Sequence, residues 1–262
     1  MVLFFTLPPW DVAYPYILIN NQHPEYGLRY LKTYNHIKDV KKIIIDSGIV
    51  IFMNPQVKDY PGGYKEQTRR QVYLYKRIKS LVPHADVYVV IHDYCDGYHP
   101  KALWLNERIT NIERTIESIM YATEKYPNIP WIIPIQGHYK RPRSVLKSIM
   151  YIKEYGILDK YDYYAVANLC VEQKVDIISM TIKYAYYMLG KDKKIHVFGM
   201  KIKALKYIKD MIYSFDSMGW TKPVEKELHK RYPHSCKTSE QRKIFFLTYL
   251  RHLKEKYGVQ IE

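Results

Sequence analysis

Residues 42–48 read Lys42-Ile43-Ile44-Ile45-Asp46-Ser47-Gly48, a β-branched triplet that runs straight into an acidic turn carrying a glycine. An apolar run without polar alternation is the pattern of a strand covered on both faces, as in a parallel sheet flanked by helices. The arrangement recurs. Residues 87–91 continue into His92-Asp93-Tyr94-Cys95, residues 131–135 into Gln136-Gly137, and residues 163–166 into Ala167-Asn168-Leu169. Residues 195–198 end at Gly199 and residues 211–215 at Asp216-Ser217, while residues 16–19 and 2–6 supply two further runs.

Between these runs lie amphipathic stretches. Residues 64–81 place Val72, Tyr75 and Ile78 on one face, and residues 105–121 repeat Ile109, Ile112, Ile116 and Ile119. Residues 145–155 and 175–189 behave alike, and Ser239 reads as the N-cap of a last helix carrying Phe245, Leu250 and Leu253. Seven or eight strands alternating with helices over 262 residues predict an α/β fold, a (β/α)8 TIM-type barrel in a single domain spanning residues 1–262. A doubly wound sheet is the second architecture this order permits. Residues 221–262, with Pro223 and Pro233 before the last helix, read as a C-terminal excursion.

Composition narrows the class. Hydrophobic residues are 47% and charged residues 26%, which excludes a disordered chain. Lys and Arg number 41 against 26 acidic residues, a net charge of +15 that favours a polyanionic partner; a solvated basic surface reads the same way. Of the 28 Tyr, most are read as a compositional habit and a minority as stacking platforms for bases. The cysteines, Cys95, Cys170 and Cys236, form no CxxC pair, which argues against a disulfide scaffold. No apolar run approaches the roughly 18 residues of a membrane span, so a cytoplasmic protein without membrane contact is expected.

The turn residues also carry a resemblance. Asp46-Ser47-Gly48, His92-Asp93-Tyr94-Cys95, Ile135-Gln136-Gly137, Ala165 to Leu169, His196-Val197-Phe198-Gly199 and Phe215-Asp216 are similar, in order, to landmarks of the tRNA-guanine transglycosylase superfamily. The likeness covers roughly residues 46–220. After Gly48 the family continues with Gly, an aromatic residue and Gln, whereas this chain has Ile49, Val50 and Ile51. The family's zinc cluster of three close Cys and a distant His is missing too. These departures resemble the shorter DNA 7-deazaguanine transglycosylases known from viruses and mobile elements.

The resemblance implies a base exchange in DNA or tRNA, in which guanine leaves its sugar and a 7-deazaguanine takes its place. It implies Asp216 as the nucleophile on the sugar C1′ and Asp46 as the general acid and base. Asp93 and Gln136 would read the base, the carboxylate accepting from N1–H and N2–H₂ and the amide donating to O6. Backbone groups of Gly137, Asn168 and Leu169 would complete the contacts, with Phe198 as a wall. Each of these residues also reads as a loop cap or a core residue on its own. Lys140-Arg141-Pro142-Arg143 would hold phosphates or form a solvated loop. His234 and Cys236, with His229 and His252, offer donors for a structural Zn²⁺, although their spacing fits no strong zinc pattern. A homodimer stays open. So does a catalytically silent barrel that only binds nucleic acid or a partner subunit.

Overall fold

The computed structural model describes residues 2–33, 37–54, 56–95, 111–167, 169–170, 172–224 and 238–261. Among the described residues, nine strands form one sheet: β1 Val2–Phe5, β2 Tyr16–Asn20, β3 Lys42–Asp46, β4 Asp86–Val90, β5 Trp131–Ile135, β6 Tyr163–Val166, β7 Lys194–Val197, β8 Ser214–Asp216 and β9 Val259–Gln260. Their order is β2-β3-β4-β5-β6-β7-β8-β1-β9, and every ladder is parallel. Ile43, Ile44 and Ile45 are all fully buried, as a strand covered on both faces requires.

The sheet curls, which brings the end of β1 within bonding distance of β2. Thr6, just beyond β1, donates its N–H to Tyr16 O at 3.2 Å, and its carbonyl accepts from Leu18 N at 3.0 Å. The first half of β1 is covered instead by β9, through Val2–Val259 and Leu3–Gln260, which leaves little open edge. Trp220 braces the junction, its indole N–H donating to Thr6 Oγ1 at 3.0 Å.

Seven helices stand between the strands among the described residues: α1 Pro24–Leu31, α2 Gly63–Leu81, α3 Asn111–Lys125, α4 Val145–Glu154, α5 Val175–Leu189, α6 Leu205–Ile208 and α7 Ser239–Tyr257. Three details differ from expectation. The N-cap of α7 is Thr238, whose hydroxyl accepts from Gln241 N while the Gln241 side chain accepts from Thr238 N; Ser239 is already helical. The strand expected over residues 211–215 begins at Ser214, because Lys209–Met211 form a 3-10 turn. Helix α1 was not foreseen. Pro24 is at the helix start, where it loses no bond, and a Cβ on Gly27 would stand 2.6 Å from Ile19 Cγ1. Residues 105–110 of the expected third helix lie outside the described residues.

One irregularity positions the site. The β4–β5 ladder ends at Val90–Ile132; Ile91 still donates its N–H to Ile132 O at 3.2 Å, but Pro134 has no N–H to extend the pairing. Residues 92–95 continue beyond the strand without ladder bonds. Thr115 Oγ1 accepts from Tyr94 N at 2.9 Å and Asn111 Nδ2 donates to Cys95 O at 2.8 Å, tying this segment to α3. Cys95 is simply buried there.

Candidate active site

Because all ladders are parallel, the strand ends that carry Asp46, Asp93, Gln136 and Asp216 share one edge. Asp46 ends β3 opposite Asn20, and Asp216 ends β8 opposite Phe5. Their proximity shows electrostatically. Burial, then the charges of Asp216 and Asp93, raise the Asp46 pKa to about 7. The N–H groups of Ser47 and Gly48 oppose this but do not outweigh it. The turn needs a glycine: Gly48 has φ +78°, and a Cβ there would lie 2.5 Å from Gln22 Cγ.

Asp93 is 1% exposed. Its Oδ1 accepts from Ser47 Oγ at 2.6 Å, its Oδ2 accepts from Gln136 Nε2, and its backbone carbonyl accepts from Tyr60 OH at 2.9 Å. Burial still wins over the two side-chain bonds and raises its pKa to about 6. Gln136 is fully buried, and its Oε1 meets no hydrogen-bond donor among the described residues. The expected donation from Gln136 to a base oxygen therefore meets a different arrangement. One of its two N–H groups is given to Asp93, and the pair still offers the second N–H and the Oε1 acceptor.

Asp216 keeps 13% of its side chain exposed. Its Oδ1 accepts from Gly199 N at 3.0 Å and lies 3.3 Å from His196 Nε2. His196 is fully buried, with Nδ1 2.8 Å from Ser214 Oγ, which is 2.6 Å from Tyr163 OH. Gly199 has φ +58° and a Cβ there would fall 2.3 Å from Cys170 Cβ, so only glycine presents this N–H. The half-buried Phe198 ring stands edge-on to His196, with centroids 4.7 Å apart.

Several participants were missed in the sequence. Asn20 ends β2 as Asp46 ends β3, Asn21 and Gln22 follow it, and that polar run was the available signal. Gln67 Nε2 donates to Pro61 O at 2.6 Å, which fixes its Oε1 as the acceptor for Gln22 Nε2 at 3.2 Å. Asn21 Nδ2 approaches the same oxygen at 3.5 Å and His92 Nε2 at 3.3 Å. Burial alone lowers the His92 pKa to about 3, so its imidazole is neutral at pH 7. No ring follows Gly48 directly, but the turn Ile49–Met53 delivers Phe52, whose centroid lies 4.9 Å from Tyr60 and 5.6 Å from Tyr94.

The remaining candidates divide. Gly137 sits where a Cβ would meet Ser144 Oγ at 2.7 Å, in a turn that Ser144 closes by accepting from His138 N and donating to Arg141 O, each at 2.6 Å. Leu169 is buried, and Asn168 lies outside the described residues. Lys140 holds φ +60° beside Arg141, and Arg143 Nε donates to Tyr184 OH at 3.1 Å. His234 and Cys236, like His229, lie outside the described residues; His252 is on α7 with its ring 5.9 Å from that of Tyr257. No group of three or more His, Cys, Asp or Glu suited to a metal gathers among the described residues. No described helix is long and apolar enough to cross a membrane. In comparison with known proteins, no family model matches the chain, and no curated protein matches it.

Proposed function

We propose that the chain is a base-exchange transglycosylase, a closed (β/α)8 barrel that replaces guanine in a polynucleotide with a 7-deazaguanine. The observation that carries this reading is a carboxyl with a pKa of about 7, Asp46, within electrostatic reach of a second carboxylate, Asp216, at one edge of a parallel sheet. The Thr6 bonds to β2 support closure. The charge of +15 supports a polyanionic substrate, and the likeness to short relatives favours DNA over tRNA.

In the first step Asp216 attacks C1′ and the C1′–N9 bond breaks, its electron pair leaving with guanine while Asp46 delivers a proton to the base. The sugar is then held as an ester of Asp216. In the second step Asp46 removes the N9 proton of the incoming base, whose nitrogen attacks C1′ and releases the carboxylate. Atoms and charge balance, and no water is consumed. Asp93 and the open Oε1 of Gln136 present acceptors, which suit the N1–H and N2–H₂ edge of guanine and reject adenine's N1. The base must be flipped out of its stack to reach them. Phe52 and Phe198 offer ring faces for it.

A silent, binding-only barrel has no use for a protonated carboxyl beside a second one. The test is exchange of labelled guanine into DNA and tRNA. The parent is expected to incorporate label into one of them and Asp216→Asn into neither; undiminished incorporation by Asp216→Asn removes the proposed nucleophile.

A further inference from the structure

The two oxygens of Asp216 are not equivalent. Oδ1 meets both Gly199 N–H and His196 Nε2, whereas Oδ2 accepts no hydrogen bond among the described residues. A carboxylate's terminal torsion is broad and nearly two-fold, so without such contacts either oxygen could take either place.

The imidazole's tautomer is dictated by what lies behind it. Tyr163 OH, buried between the rings of Tyr88 and Tyr213, has Ser214 Oγ as its hydrogen-bond partner at 2.6 Å. If Tyr163 donates to Ser214, then Ser214 donates to His196 Nδ1, and the imidazole proton sits on Nε2, facing Asp216. The reverse direction leaves the Tyr163 O–H unmade in a buried site and turns a bare Nε2 lone pair toward a carboxylate oxygen. Only the first direction satisfies every atom.

We propose that His196 is a positioning residue, which together with Gly199 N–H holds Oδ1 and so assigns Oδ2 as the attacking oxygen, with Ser214 and Tyr163 fixing the imidazole tautomer. The geometric part stands by itself; the word attacking rests on the transglycosylase reading above. When Oδ2 forms the ester, Oδ1 becomes a carbonyl that keeps both donors. When the C1′–Oδ2 bond breaks, its electron pair returns to the carboxylate and the same donors stabilise the returning charge. The hold acts on both steps without touching the base. Kinetically, it belongs to kcat and not to KM.

The test combines a spectroscopic and a kinetic arm. In ¹⁵N-labelled parent protein at pH 7, the His196 resonances are expected to report a proton on Nε2 and a hydrogen-bonded lone pair on Nδ1. Proton occupancy on Nδ1 instead overturns the proposal, whether or not the protein exchanges bases. In the exchange assay, His196→Leu is expected to lower kcat by about 10- to 100-fold with KM unchanged, from loss of one donor to a charged oxygen. His196→Gln, whose amide nitrogen reaches the same place, is expected to restore kcat to within about threefold of the parent. Unchanged kcat in the Leu variant, or equal losses in Leu and Gln variants that melt at the parent's temperature, overturns it. A parent without exchange activity sinks the transglycosylase reading instead, and the tautomer then decides the hold on Oδ1.

Discussion

Replacing Asp46 by asparagine gives the most quantitative consequence of the site's electrostatics. Burial and the charges of Asp216 and Asp93 lift the Asp46 pKa from 3.8 to about 7. Because the folded-state value is the higher one, the group's contribution to stability is full below the unfolded value and is lost as pH rises through about 7. With each pKa unit equal to about 1.4 kcal/mol, linkage gives a contribution of roughly 3 kcal/mol at pH 5 that has vanished by pH 8.5. The amide of the Asp46→Asn variant accepts the same Ser47 and Gly48 N–H bonds but carries no charge at either pH. The parent should therefore lose roughly 3 kcal/mol more than Asp46→Asn between pH 5 and 8.5. At a urea slope of about 3 kcal/mol per M, that is a relative midpoint shift of about 1 M. Urea titrations of both proteins at the two pH values measure it. Parallel pH dependence in the two would mean that Asp46 is not protonated near neutrality, and the acid/base assignment would fall with it.

Three other outcomes are expected. Gly199→Ala should cost at least about 2 kcal/mol in urea unfolding, from a positive φ and a Cβ 2.3 Å from Cys170 Cβ; an unchanged midpoint contradicts the described turn. Thr238→Ala should cost about 1 kcal/mol while Ser239→Ala stays within about 0.5 kcal/mol, and the opposite order would return the cap to Ser239. His92, with its pKa lowered to about 3 by burial, should stay unprotonated in an NMR titration down to pH 5. Its contribution to stability is full above about 6.5 and is lost as pH falls toward 3. Protonation of His92 near pH 6.5 would place its ring in solvent.

The strands were legible because their burial is two-sided. Ile43-Ile44-Ile45 needs no alternation, and a polar turn after such a run is placed by the parallel rule at the same edge as every other. What stayed hidden was set by tertiary contact. The place of Gly27 in α1 is explained only by Ile19, which stands where its Cβ would be. Residues 211–213 have strand composition, yet Met211 closes a 3-10 turn, and Tyr213 donates to Ile195 O and accepts from Leu3 N just before β8 begins. His196 was legible as part of a motif but not as a partner of Asp216, because the pairing of β7 with β8 through His196 and Ser214 is a register fact. Its signal was parity: His196 lies two residues before Phe198, already read as facing the pocket. Asn20-Asn21-Gln22 satisfied the same strand-end rule as Asp46 and was passed over. The Asp93–Gln136 bond lay beyond the sequence altogether, because it depends on how residues past the last β4–β5 bond, Ile91 N to Ile132 O, are placed in three dimensions.

In the proposed reaction Asp216 forms a bond to sugar carbon when a base departs. Rapidly denaturing the protein during turnover on a polynucleotide with no incoming base, digesting it, and locating any sugar-linked peptide by mass spectrometry would trap that bond. A pentose ester on the peptide containing Asp216, absent from Asp216→Asn and present in His196→Gln, is the predicted result. A polynucleotide that loses or exchanges guanine while Asp216 stays unmodified, or an adduct on another carboxylate, would contradict the account.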